Sequence, residues 1–110
     1  MIRIDAAWLA CAPIDMRAGV DRALAHVVAV FGSAQMHHAY LFTNARANRL
    51  KVLVHDGLGL WWATRRLHQG RFHRLTTEAP HLKLTPEELG ALVLGLPWQQ
   101  LSAHSTLRTY

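Results

Sequence analysis

Cysteine is almost absent from this chain. Cys11 is the single thiol, which excludes an intramolecular disulfide and a zinc site built on paired cysteines. It sits in an apolar run with no neighbouring base, so an inert thiol is expected rather than a nucleophile. Long apolar runs are also missing. The longest, around residues 27–31, is far short of a membrane span. No apolar stretch of the kind found in a secretory leader follows Arg3. A cytoplasmic protein is expected, and a lone thiol fits a reducing compartment. Acidic residues are few, 7 against 12 Lys and Arg, leaving a net charge of +5 that favours anionic partners.

The scarcity of carboxylates bounds the chemistry. Asp15 and Glu88 read as helix-capping residues and Asp56 as a turn residue, so no convergent set remains for metal-assisted phosphoryl transfer. The 8 histidines include the pair His37-His38 and the spaced His68 and His73, but no helical His-x-x-x-His pair and no cysteine partner. There is no Gly-x-x-x-x-Gly-Lys phosphate loop, and Asp56-Gly57-Leu58-Gly59 reads as a turn, not a dinucleotide fingerprint. Neither catalysis nor a cofactor or metal is expected.

What is present is an ordinary globular balance, 51% apolar and 17% charged, in 110 residues. One α+β domain is expected over residues 1–98, followed by a flexible polar tail over residues 99–110. Residues 6–12 read as a strand that Pro13 breaks. Asp15 is the expected N-cap of a first helix. Its apolar stripe is Met16, Val20, Leu24, Val27, Val28 and Phe31, with Gly32 as its stop. Residues 39–43 read as a strand. Residues 49–55 alternate cleanly, and Asp56-Gly57 signals a hairpin whose second strand runs over residues 58–67. After a turn at Gly70, residues 71–75 suggest a further short strand. Thr85-Pro86-Glu87-Glu88 announces a C-terminal helix by a capping box with proline at its first position. The order implies a small antiparallel sheet with a central basic hairpin and one helix at either end.

That hairpin concentrates the positive charge. Arg46, Arg49, Lys51, Arg65, Arg66, Arg71 and Arg74 fall in it or beside it, opposed only by Asp56. Strand alternation puts Arg49, Lys51, His55, Trp62, Thr64 and Arg66 on one face. The other face carries Leu50, Val52, Val54, Trp61 and Ala63, read as core. A two-residue or a four-residue turn gives the same faces, and a three-residue turn flips one strand. Such a ribbon can lie along phosphates, with Trp62 stacking on a base. The same cations can equally protect a solvated sheet edge, with Trp62 packing across the strands.

The motifs along the chain resemble those of one family. Asp15-Met16-Arg17-Ala18-Gly19 resembles D-M-R-x-G. Arg46, Arg49, Lys51, Leu53, Asp56, Gly57 and Gly59 resemble R-x-x-R-x-K-x-L-x-x-D-G-x-G. Arg66-Leu67 and Gly70-Arg71-Phe72 resemble R-L-x-x-G-R-F, and Leu84-Thr85 with Leu89, Leu92 and Gly95 resembles the closing pattern. In series these resemble the TnpB-type accessory proteins of the insertion sequence 66 family, which are distinct from the RNA-guided nuclease sharing that name. The resemblance implies a non-catalytic bacterial protein that assists DNA transposition carried out by a separate transposase. The residues expected to meet DNA are Arg46, Arg49, Lys51, Trp62, Arg66 and Arg71. The expected partners are DNA, at element ends or as non-specific duplex, and the transposase and other proteins of the same element. The alternative is a module that binds the transposase without touching DNA, using Trp61, Trp62 or Trp98 as aromatic anchors.

Overall fold

The computed structural model describes residues 3–15, 17–73 and 79–101. Strand β1 (Ala6–Ala10) is followed by helix α1 (Val20–Phe31), then strands β2 (His38–Thr43), β3 (Arg49–His55), β4 (Leu60–Arg66) and β5 (His81–Leu84). Helix α2 (Pro86–Val93) and a 3-10 turn (Trp98–Leu101) complete the described chain. The strands form one sheet in the order β4-β3-β2-β1-β5. The expected α+β class holds, and the expected antiparallel sheet holds with one exception. β1 and β2 are parallel, because α1 intervenes and carries the chain back to the end from which β1 started.

Both faces of the sheet are covered. Along β2, Ala39 and Leu41 point into one cluster with Leu9, Leu50, Leu82 and Leu84, closed by Leu92, Phe72 and Trp98. Tyr40 and Phe42 point into the other with Leu53, closed by Ala23 and Val27 of α1. A strand buried on both faces reads as a continuous apolar run rather than an alternation, as Ala39-Tyr40-Leu41-Phe42 does.

The capping box forms as expected. The Glu88 backbone N–H donates to Thr85 Oγ1 (3.1 Å), and the Thr85 N–H donates to Glu88 Oε1 (2.8 Å). The first helix differs from expectation. It starts at Val20 with Gly19 at the N-cap, and Asp15 lies outside it. The Asp15 carboxylate instead closes a turn of its own, accepting the Arg17 backbone N–H at 2.9 Å while the Asp15 carbonyl accepts the Ala18 N–H. Within the expected stripe Val27 is buried, but Val28 is 45% exposed, and Met16 lies outside the described residues.

Three further corrections concern strands. β1 stops at Ala10, where the chain turns away and the Cys11 N–H donates to Pro80 O. Residues 71–73 are not a strand; Phe72 instead turns into the core. The remainder of that expected strand, Arg74 and Leu75, lies outside the described residues. The fifth strand is His81–Leu84, whose buried-buried-exposed-buried pattern masks its alternation. Of the tail expected from Gln99, the first three residues complete the 3-10 turn, and residues 102–110 lie outside the described residues.

His81 is fully buried between β5 and α1, and neither ring nitrogen finds a hydrogen-bond partner among the described residues. Its ring lies 4.8 Å from Phe31 and 5.2 Å from His26 between centroids. Burial, helped by the neighbouring His26, pushes its pKa down to about 4. An unfolded chain takes up that proton near an ordinary value of about 6.5, so it binds more protons than the fold between these limits. The His81 contribution is therefore complete above about pH 6.5 and lost as pH falls toward about 4. Urea unfolding should show stability dropping by about 1–2 kcal/mol between about pH 7 and about pH 5. His81→Phe should flatten that slope, and an unchanged slope would remove His81 as its source.

Candidate nucleic-acid interface

The hairpin is closed by the four residues 56–59, since His55 pairs with Leu60. Asp56 builds this turn. Its Oδ1 accepts the N–H groups of Leu58 and Gly59, both at 2.9 Å, and its Oδ2 accepts Trp61 Nε1–H at 2.8 Å. These donors hold its carboxyl below the usual carboxylate range, the two backbone N–H groups contributing more than the indole. Gly57 sits at φ +90°, where a Cβ would strain the backbone, and the flexible Met36 side chain packs against it. The motif residues Asp56, Gly57 and Gly59 thus shape the tip, at the far end of the hairpin from the arginines.

The four-residue turn is one of the two that preserve the faces expected from the sequence. Arg49 lies opposite Arg66, Lys51 opposite Thr64 and Leu53 opposite Trp62. The other face is less buried than expected. Trp61 is 50% exposed and Ala63 is exposed, because β4 is the outermost strand and the core opposite it closes over β3.

Backbone bonds on either side of the ladder fix its phase. The Asp56 N–H donates to Gly59 O at one end (3.2 Å), and the Leu67 N–H donates to Asn48 O at the other (3.1 Å). Counting alternately between them makes Arg49·Arg66 a non-hydrogen-bonded pair, the kind in which facing side chains approach most closely. Like charges directly opposed across strands are destabilising. Among the described residues, no carboxylate lies in salt-bridge range of either guanidinium.

Arg46 joins them through the loop between β2 and β3. Asn44 organises that loop: its Oδ1 accepts the N–H groups of Asn48 and Arg49 (both 3.0 Å), and its Nδ2 donates to Asn48 Oδ1 (2.6 Å). Ala47 adopts φ +57° and its carbonyl accepts the Phe72 N–H at 2.6 Å, tying the loop to a core side chain. An open cleft of about 420 Å³ results, lined by Ile14, Asp15, Asn44, Ala45, Arg46, Asn48, Arg49 and Arg66. Its one acidic wall residue is already engaged. Arg17 clasps Asp15 through Nη2 (2.7 Å) and Nε (3.1 Å), and that clasp holds the Asp15 carboxyl at about 2.

Of the six residues expected to meet DNA, the cleft therefore gathers Arg46, Arg49 and Arg66. Lys51 and Trp62 sit apart on the half-buried part of the same face. There the Lys51 ammonium lies 5.2 Å from the Trp62 ring centroid, and the ring packs edgewise on Phe42. Arg71 is exposed beside Phe72 and does not line the cleft. Of the expected aromatic anchors, Trp98 is fully buried, its indole N–H donating to His73 O at 2.6 Å. Asn44 and Asn48 are not among the residues expected from the sequence to form the site; an asparagine at a loop entrance, able to cap backbone N–H groups, is the signal the sequence offers for them.

The family described as IS66 Orf2 like protein matches residues 5–103. Two relatives from Sinorhizobium fredii are similar along most of their length, and both are described as uncharacterized. y4jC is 32% identical over 98 residues, spanning 84% of this chain and 80% of the relative. y4hO is 29% identical over 93 residues, spanning 84% of this chain and 81% of the relative. No solved structure matches.

The opposed arginines make a stability prediction independent of any ligand. Arg66→Glu should raise stability by roughly 0.5 kcal/mol in low salt, by turning repulsion into attraction across the pair. The gain should fade in high salt. Thermal melts at two ionic strengths test it, and a variant less stable at both would contradict the register.

Proposed function

The chain belongs to the IS66 Orf2-like family of transposition-associated accessory proteins, and on that premise we propose that it assists transposition by binding DNA, without catalysis, through the arginine cleft at the open end of the β3–β4 hairpin. One observation carries the reading. Arg49 and Arg66 face each other at a close ladder position, Arg46 joins them across one cleft, and the nearby carboxylate is withdrawn by Arg17. An arrangement that costs stability in the free protein is relieved when a phosphate enters between the cations. Guanidinium groups suit that task, because each offers a planar fork to two phosphate oxygens.

Binding of this kind tracks the phosphate backbone and carries little base readout. The position of Trp62 agrees with this: its ring is engaged by Lys51 and Phe42, which favours a phosphate grip over base stacking. In this reading the cytosolic partners are DNA and the separate transposase of the same element.

Fluorescence anisotropy of labelled duplexes, one carrying an element end and one scrambled, tests the proposal. Both should bind, with affinity falling steeply as salt rises. The double variant Arg49→Ala with Arg66→Ala should bind about tenfold or more weakly and show a log–log salt slope smaller by about 2. A variant with the wild-type affinity and slope would take the cleft out of the function. Absence of duplex binding even in low salt would favour the alternative, a module that contacts the transposase and not DNA.

A further inference from the structure

We propose that the outer edge of β4 is a docking site for an extended segment of a partner protein, a strand that sets an apolar side chain against Trp61 and a carboxylate against Arg65. The ladder phase derived above determines what this edge offers. Trp61, Ala63 and Arg65 direct their backbone N–H and C=O groups toward β3, so those of Leu60, Trp62, Thr64 and Arg66 point outward. Among the described residues, no strand pairs with them.

Natural sheet edges are blunted by proline, bulges, short length or charge. β4 runs seven residues, and its first five, Leu60-Trp61-Trp62-Ala63-Thr64, carry no charge, proline or glycine. The pairing with β3 is continuous, without a bulge. Such an edge invites another strand.

The side chains specify which one. Trp61, Ala63 and Arg65 form one exposed row on the α2 side of the sheet. The Trp61 indole is fixed by Asp56 while half its surface faces solvent, which makes it a preorganised anchor. Ala63 leaves the middle of the row low. Arg65 closes it with a cation that has no carboxylate in salt-bridge range among the described residues. The complementary strand therefore carries an apolar residue and an acidic residue four positions apart, on one face.

Charge decides against a second copy as the occupant. Two chains of net charge +5 would meet. Paired about Ala63, they would set Arg65 and Arg66 against Trp61 and Leu60, with no carboxylate on the strand to receive them. The side-chain row Trp61, Ala63 and Arg65 is separate from the arginine cleft, because Arg49 and Arg66 project their side chains on the α1 side.

The probes are fluorescein-labelled peptides of alternating Val and Thr, with Leu and Glu four positions apart on one face, synthesised in both chain directions. Binding to the full chain is read by anisotropy. One direction should bind in the micromolar range and slow amide exchange at Leu60, Trp62, Thr64 and Arg66. Arg65→Glu should weaken it about tenfold, and a Lys-for-Glu peptide should restore it. Thr64→Pro removes an outward N–H without touching the β3 ladder, so it should abolish peptide binding while leaving duplex affinity unchanged. If Thr64→Pro does not fold, N-methylation of the peptide at alternate residues replaces it: one phase should abolish binding and the other should not. Binding indifferent to methylation phase and to Arg65→Glu would overturn the proposal, as would no binding. Light scattering that finds a dimer dissolved by Thr64→Pro would also overturn it, in favour of a second copy.

Discussion

Strand β2 is the constraint on which the rest depends. From Ala39 to Thr43 its side chains are excluded from water on both faces of the sheet. Burying roughly five such positions is worth several kcal/mol in apolar transfer alone, but only if each face receives a cover. The chain supplies α1 for one face and α2, Phe72 and the Trp98 turn for the other. With so few elements the cover cannot reach everywhere. It is most complete over β2, partial over β1 and β3, and β4 is left as a rim. Charge and exposed aromatic surface gather on that rim because the economy of covering the middle leaves it open.

The rim has two ends with different chemistry. At one end, the Asn44-organised loop and the first turn place three arginines around a cleft whose carboxylate is already held. At the other, Asp56 spends its carboxylate on a turn and an indole. Each acid near the hairpin is committed to local backbone geometry, so the positive field of the arginines goes unopposed. The same motif thus mixes residues that shape the fold with residues that line the cleft proposed to bind DNA.

Much of this was legible in the sequence. The hairpin, its faces, the capping box at Thr85 and the arginine cluster follow from alternation, turn chemistry and capping chemistry, all of which are local. The failures have a common cause. Asp15 has the residue type of an N-cap, but its carboxylate is taken by Arg17 two positions on, and the helix begins at Val20. β5 alternates on only four residues, and its buried His81 disguises a core position as a polar one. Trp61 looked like core because its face was right; its exposure depends on how far a helix from elsewhere in the chain extends. Convergence of Arg46 with Arg66 likewise rests on a loop held by Phe72, a contact that no short-range pattern encodes.

The four tryptophans occupy four chemically distinct settings, and this makes the molecule its own spectroscopic reporter. Trp98 is sealed in the core on a carbonyl, Trp8 shares its indole proton with the imidazole of His38, Trp62 lies beneath an ammonium, and Trp61 is half in water on a carboxylate. Water relaxation around an excited indole shifts its emission to the red, and neighbouring imidazole or ammonium groups quench it. Single-tryptophan versions would therefore emit at separable wavelengths and yields. The Trp98 signal would follow global unfolding, Trp62 the basic face, and Trp61 the open edge, each without an attached dye.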